Sequence, residues 1–375
     1  MGSVTFSRIA TKPFASRRRA RLGGAATGAL VALAAATGTL VVTPASPAQA
    51  APRVISITPA DVSYGPTGAR SLAGRLQALR PGDTLVLGPG VYNVGYTRPN
   101  VWSGTAQRPI VIRTSNPGRT LIKGQLKLWD ANYWQLRNIR IQATVKGSEA
   151  LYMGGGRGWV VAGGEFFGGR ATGAYANVAI GSGNYSQPAA FRFTANCVHG
   201  AGRTARENQD HNIYVNFLGS RGTSGSIDHN VIFDHPNGAG VKLGAGGQPN
   251  ARGPWNVRVT SNTVSNGGRQ ILMHGNIRGN VVQGNLLAFS TKHFQKLPKT
   301  TAIYANMLTT KTNRIAHNYV YASDFVAFDP DKRLVNAGDN RKRGNPVFNG
   351  MGTCGVYKAK AGSAQAYGRY GNGRF

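Results

Sequence analysis

Through the middle of the chain an apolar residue is followed three places later by asparagine and then by more apolar residues. Copies lie at 193–198, 227–232, 259–264, 282–287 and 315–320, with Asn196, Asn230, Asn262, Asn285 and Asn318 at the fourth place. The asparagines are 34, 32, 23 and 33 residues apart, and a glycine version centred on Gly163 lies 33 residues before the first. Short β-branched strands recurring at about 20 to 50 residues mark a solenoid. Asparagine tolerates the left-handed backbone of a sharp corner, and stacked coils would place the amides in a hydrogen-bonded ladder. The pattern predicts an all-β chain, a right-handed parallel β-helix over 82–335.

A second set of strands keeps the same phase at 212–216, 240–244, 271–275 and 302–306. Aligning Ile213, Val241, Leu272 and Ile303 as inward residues sends Tyr214, Lys242, Met273 and Tyr304 to the outer face, because strand side chains alternate. In the segment 51–81, Leu72, Leu76 and Leu79 fall at i, i+4 and i+7. That spacing predicts a short capping helix, which closes the apolar end a solenoid would otherwise expose. From 336 to 375 the repeat is lost, and an irregular basic tail is expected.

Composition narrows the classes. Charged residues are 15% of the chain and there are 52 glycines among 375 residues, which argues against a helical bundle, while 41% hydrophobic residues suffice for a core. Residues 1–50 read as a signal peptide: Arg17, Arg18, Arg19 and Arg21 precede an Ala/Leu/Val/Gly run, and Ala48-Gln49-Ala50 supplies the cleavage pattern. Ser16 with the arginines also fits a twin-arginine leader. Cleavage leaves no membrane span, and the expected location is extracellular.

Six basic and no acidic residues leave with that segment, so the remaining chain holds 38 Lys and Arg against 13 Asp and Glu, a net of +25. Outside a cell such a charge gathers polyanions. The expected partner is an acidic polysaccharide, with no specific nucleic-acid recognition, and a monomer is expected. Cys197 and Cys354 form either one bridge or two buried thiols.

The stretches 80–92, 104–113 and 117–124 resemble the opening of secreted pectate-lyase-like β-helix proteins, with closest likeness to the chondroitinase B and alginate lyase family. The likeness returns at Val241-Lys242-Leu243 and Leu272-Met273-His274-Gly275. It implies β-elimination on a uronate polymer with Lys242 as general base. The family's catalytic arginine falls on Met273, and its acidic calcium ligands have no counterpart in 235–239. No cofactor is expected, with calcium left open although its usual carboxylate ligands are not apparent.

β-Elimination needs a base, a proton donor for the leaving oxygen and a cation for the uronate carboxylate. Lys242 suits the first role, Tyr214 or Tyr304 the second, and Arg269, Arg252 or Lys292 the third, with His274 beside them. A glycoside hydrolase would need two carboxylates. Three Asp-His pairs, at 210–211, 228–229 and 234–235, are set aside as dyads because neighbours on a strand face opposite ways. Asp210, His211 and His235 lack a recognised metal spacing. Non-catalytic polyanion binding, or an epimerase on the same fold, are the alternatives.

Overall fold

The computed structural model describes residues 51–202, 210–244, 252–290 and 300–342, together with 348–349, 354 and 358–359. Two long sheets, of 11 and 15 strands, carry the fold. Their strands pair in parallel with the next coil, as in a right-handed parallel β-helix. The 15-stranded sheet bends through a corner within strands Val231–Gly244 and Thr263–His274, where Asp234 and Asn266 take positive φ of 58° and 54°. It thereby supplies two of the three faces.

The asparagine ladder is present. Side-chain amides of Asn196, Asn230, Asn262, Asn285 and Asn318 bond one to the next at 2.9–3.1 Å, and Asn340 extends the column. Each side-chain oxygen also accepts a backbone N–H from the coil below, from Gly164 to Asn196 at 2.8 Å and from the preceding asparagine in the rest, as from Asn230 to Asn262 at 2.9 Å. One detail differs from expectation. The left-handed residue of the corner is the one before the asparagine, at Ala195, His229, Ser261, Gly284 and His317. The asparagine itself turns inward and caps the corner from the core side.

A second buried column follows the other edge of the core. Asn177 donates to Asn212 at 2.8 Å, Asn212 meets His235 at 3.3 Å, His235 meets Gln270 at 3.1 Å, and Gln270 donates to Ser290 at 3.2 Å. Apolar residues fill the space between the columns, among them Ile213, Val241, Ile271 and Ile303, all fully buried. Burying stacked polar groups this way is stable only because each finds a partner on the next coil.

The end helix spans Leu72–Gln77, capped by Ser71, whose side chain accepts the Gly74 N–H at 3.0 Å. Leu72, Leu76 and Leu79 are buried beneath it. The coils reach further than 82–335 on both sides. Val54–Ile57 pairs in parallel with Thr84–Leu87, and Arg341–Lys342 pairs with Tyr319–Tyr321. The start of the basic tail is thus regular, while Phe348–Asn349 and Lys358–Ala359 form an antiparallel pair. Cys197 and Cys354 form a disulfide. The leader assigned to 1–50 lies outside the described residues. Among those residues no helix is long and apolar enough to cross a membrane.

Candidate active site

The pairing register fixes which residues share the outer row. Tyr214 pairs with Lys242, Lys242 with Leu272, and Leu272 with Tyr304. Met273 is therefore not in the row. It pairs with Leu243 and Ala305, points inward and is fully buried. The alignment of Leu272 with Val241 is one residue out, and a slip of one exchanges the two faces of a strand. The correct inward residue is Ile271. A match through His274-Gly275 that places Met273 at a catalytic arginine consequently fails on geometry.

Lys242 lies with its ammonium 4.6 Å from the Tyr214 ring centre, a cation–π contact. Among the described residues it makes no ion pair. Burial, and then the Arg269 charge, bring its pKa down to about 8. Burial pushes the Tyr214 phenol up, so it stays protonated. Arg269 is 4% exposed, its guanidinium lies 4.4 Å from the Tyr304 ring centre, and burial lowers its pKa to about 10. His274 bonds Asn306 at 2.6 Å; burial lowers its pKa, with Lys242 and Arg269 adding to the effect.

These five residues are gathered by four consecutive coils. Arg252 is not among them. It opens the strand Arg252–Trp255 of a separate two-stranded sheet, exposed and paired with Asn276. Lys292 lies outside the described residues.

His211 is a group that sequence reasoning passed over. Its ring lies 5.5 Å from that of Tyr214, and its Nδ1 accepts the Ala239 N–H at 3.0 Å. That bond places the proton on Nε2, a fully buried donor with no partner among the described residues. Burial holds its pKa well below the ordinary value, and Lys242, Arg269 and His235 reinforce the shift. The sequence signal was the Asp210-His211 pair, discounted for its alternation. The discount itself fails at Asp228-His229: the corner at His229 folds its Nδ1 to 2.8 Å from the Asp228 carboxylate. That pair belongs to the 11-stranded sheet, away from Lys242.

The row continues downward through Ala179 and Tyr152 to Lys127. Lys127 lies 4.3 Å from the Tyr152 ring centre, and the Arg98 guanidinium 3.5 Å from that of Trp129. A cation on an aromatic face thus recurs along one groove. The row from Lys127 to Phe328 holds no carboxylate.

Calcium, which the family resemblance implies, does not fit the donors ahead of Lys242. The Asp234 carboxylate is engaged by Arg170 at 2.6 Å, and the His235 ring faces Asn212 on one nitrogen and Arg269 and Gln270 on the other. Asp210, His211 and His235 are not brought together as a metal-holding group among the described residues either. Among the described residues three ligating side chains converge at Cys197, His199 and Cys354, but both sulfurs belong to the disulfide.

With this geometry established, comparison with known structures is informative about the fold. Pectate lyase Pel9A superposes with a TM-score of 0.51 at 12% identity, over 76% of this chain and 79% of that one. The chain has the fold of a pectate lyase. Weaker overlays are found with a mannuronic acid specific polysaccharide family 6 lyase from human gut microbiota and with the Azotobacter vinelandii mannuronan C-5 epimerase AlgE4 A-module. The first has 14% identity, TM-score 0.36, and 78% of each chain covered; the second has 12% identity, TM-score 0.39, and covers 70% of this chain and 90% of that one. No family model matches, and no curated protein is significantly similar in sequence. At such identities the fold is what is shared, and β-helices serve several chemistries.

Proposed function

We propose that the protein is a secreted, carbohydrate-active enzyme that cleaves a uronate polysaccharide by β-elimination. The observation that carries this is Lys242: a half-buried amine with no counter-ion among the described residues, held on a phenol face and brought to a pKa of about 8. An unpaired amine is costly to bury, and near pH 8 it is a competent base. In the proposed step the free amine takes the C5 proton of a uronate and the C4–O bond breaks. A C4=C5 double bond forms, and a phenol of Tyr214 or Tyr304 gives its proton to the departing oxygen. Arg269 neutralises the substrate carboxylate that makes the C5 proton acidic.

The outer row holds no carboxylate, and Glu149 beside Lys127 is bonded by Gln125, which disfavours hydrolysis, a reaction that needs a pair of acids. The fold of pectate lyase Pel9A adds support for acidic polymers as substrates. The test is incubation of the chain lacking residues 1–50 with pectate, alginate, chondroitin, heparin and hyaluronan, with and without EDTA. Appearance of unsaturated uronate absorbance on at least one polymer is expected. Uronates altered at C5 without chain cleavage would identify an epimerase, and binding without either product would overturn catalysis.

A further inference from the structure

The 11-stranded sheet turns a different face to solvent, and that face is lined with arginine. Arg113 and Arg137 are register partners on neighbouring strands. In the adjacent row Arg192, Arg258 and Arg314 occur on every second coil, with Ser226 and Val281 between them. All five are exposed. At ~4.8 Å per coil, Arg192, Arg258 and Arg314 recur about every 10 Å along the helix axis. The one carboxylate in these two rows, Asp228, is taken by Arg192 at 3.1 Å. Among the described residues the Arg137 side chain bonds only the neutral Gln135 side chain, and the side chains of Arg113, Arg258 and Arg314 have no hydrogen bond or ion pair.

Like charges directly opposite on adjacent strands repel, as Arg113 and Arg137 do, so the array is unfavourable until anions lie on it. We propose that this sheet is a second polyanion-binding face, separate from the Lys242 groove, for an acidic polysaccharide lying along the helix axis. A linear polymer with regularly spaced acid groups meets several arginines at once, and each guanidinium can hold a carboxylate or sulfate by two hydrogen bonds. Contacts that are weak singly become retention when one chain links them. The inference concerns binding alone and stands whether or not Lys242 performs elimination.

The test uses the full chain after leader removal and heparin as probe. Arg113→Gln/Arg137→Gln/Arg258→Gln/Arg314→Gln is compared with a charge-matched control, Lys146→Gln/Arg221→Gln/Lys311→Gln/Lys332→Gln. The face variant should lose about tenfold or more in heparin affinity at low salt, and the control less than about threefold. The double variant Arg258→Gln/Arg314→Gln, with an unchanged melting transition, should lose an intermediate amount and guards against misfolding of the quadruple. Equal losses in face variant and control would overturn the proposal, leaving net charge as the cause. So would intact heparin binding with lost binding to phosphatidylglycerol vesicles or single-stranded DNA.

Discussion

The Lys242 ammonium rests 4.6 Å from the ring centre of Tyr214, its partner on the coil below, and both groups carry shifted proton affinities. Burial lowers the first and raises the second, so the amine can be free while the phenol keeps its proton. A base and an acid therefore coexist in the range between the lysine's pKa of about 8 and the higher one of the phenol.

Lys242→Ala should reduce turnover of the responsive polymer by roughly 10²- to 10⁴-fold, the usual effect of losing a general base. The wild-type rate should rise as pH increases through about 8, since the amine works only when unprotonated. Arg269 lowers that pKa by like-charge repulsion, so Arg269→Gln should move the rise to higher pH, as well as raising KM. A pH–rate profile that stays in place in Arg269→Gln would remove Lys242 as the titrating base.

Much of this fold was legible because the repeat is written in side chains that must stack. Asn230 and Asn262 meet at 2.9 Å, and only a coil-by-coil return of the chain can bring residues 32 apart into such a column. The site was legible less completely. Lys242, Tyr214 and Tyr304 were placed from alternation, but the strand holding Leu272 is apolar on both faces, with Ile271, Leu272 and Met273 all buried. Alternation gives no phase in such a run, and the slip followed. His211 was missed for the opposite reason: its role depends on a backbone N–H from Ala239, 28 residues away, which no local pattern reveals. The Lys127–Tyr152 contact was within reach, since the strands containing Lys127 and Tyr152 repeat the apolar-x-apolar phase of Lys242.

Asn262→Ala should cost about 3 to 5 kcal/mol in stability. Its side chain takes the Asn230 N–H and amide and donates to the Ile227 carbonyl and the Asn285 side chain, at 2.9–3.0 Å, in a fully buried position. Alanine leaves several of those groups buried without partners. Asn340→Ala, at the half-buried end of the column, should cost about 1 kcal/mol. Denaturant melts of the two variants measure the difference, and equal losses would mean that the ladder is not held by its interior bonds.

The register predicts unequal tolerance at two adjacent positions. Met273→Arg would place a charge in the core between Leu243 and Ala305 and should cost more than about 4 kcal/mol, enough to abolish soluble expression or cooperative melting. Leu272→Arg faces the groove, where a long side chain can extend along the outer row, and should cost less than half as much. If Met273→Arg melted near wild type and Leu272→Arg did not, the two faces would be exchanged.

Acid should weaken the fold before the Asp228 carboxylate titrates. His235 is fully buried between Asn212, Gln270 and the Arg269 carbonyl. Burial lowers its pKa from 6.5 to about 4, against opposing effects from the Arg269 carbonyl, Gln270 and Asp234. His211, also buried, is shifted the same way. Between pH 6.5 and 4 the unfolded chain binds protons that the native chain refuses, so stability is full above the unfolded pKa and declines as pH falls through this window. For His235 the loss is roughly 3 kcal/mol when the window has been crossed. The Asp228 carboxylate, which Thr194, Arg192, His229 and Ser226 hold at a pKa of about 2, enters only at lower pH. His235→Gln keeps a hydrogen-bonding side chain without the titration, so it should flatten the dependence of unfolding free energy on pH between 6.5 and 4, even if it lowers stability at pH 7. A slope that is unchanged in His235→Gln and in the double variant with His211→Gln would assign the acid sensitivity to other groups.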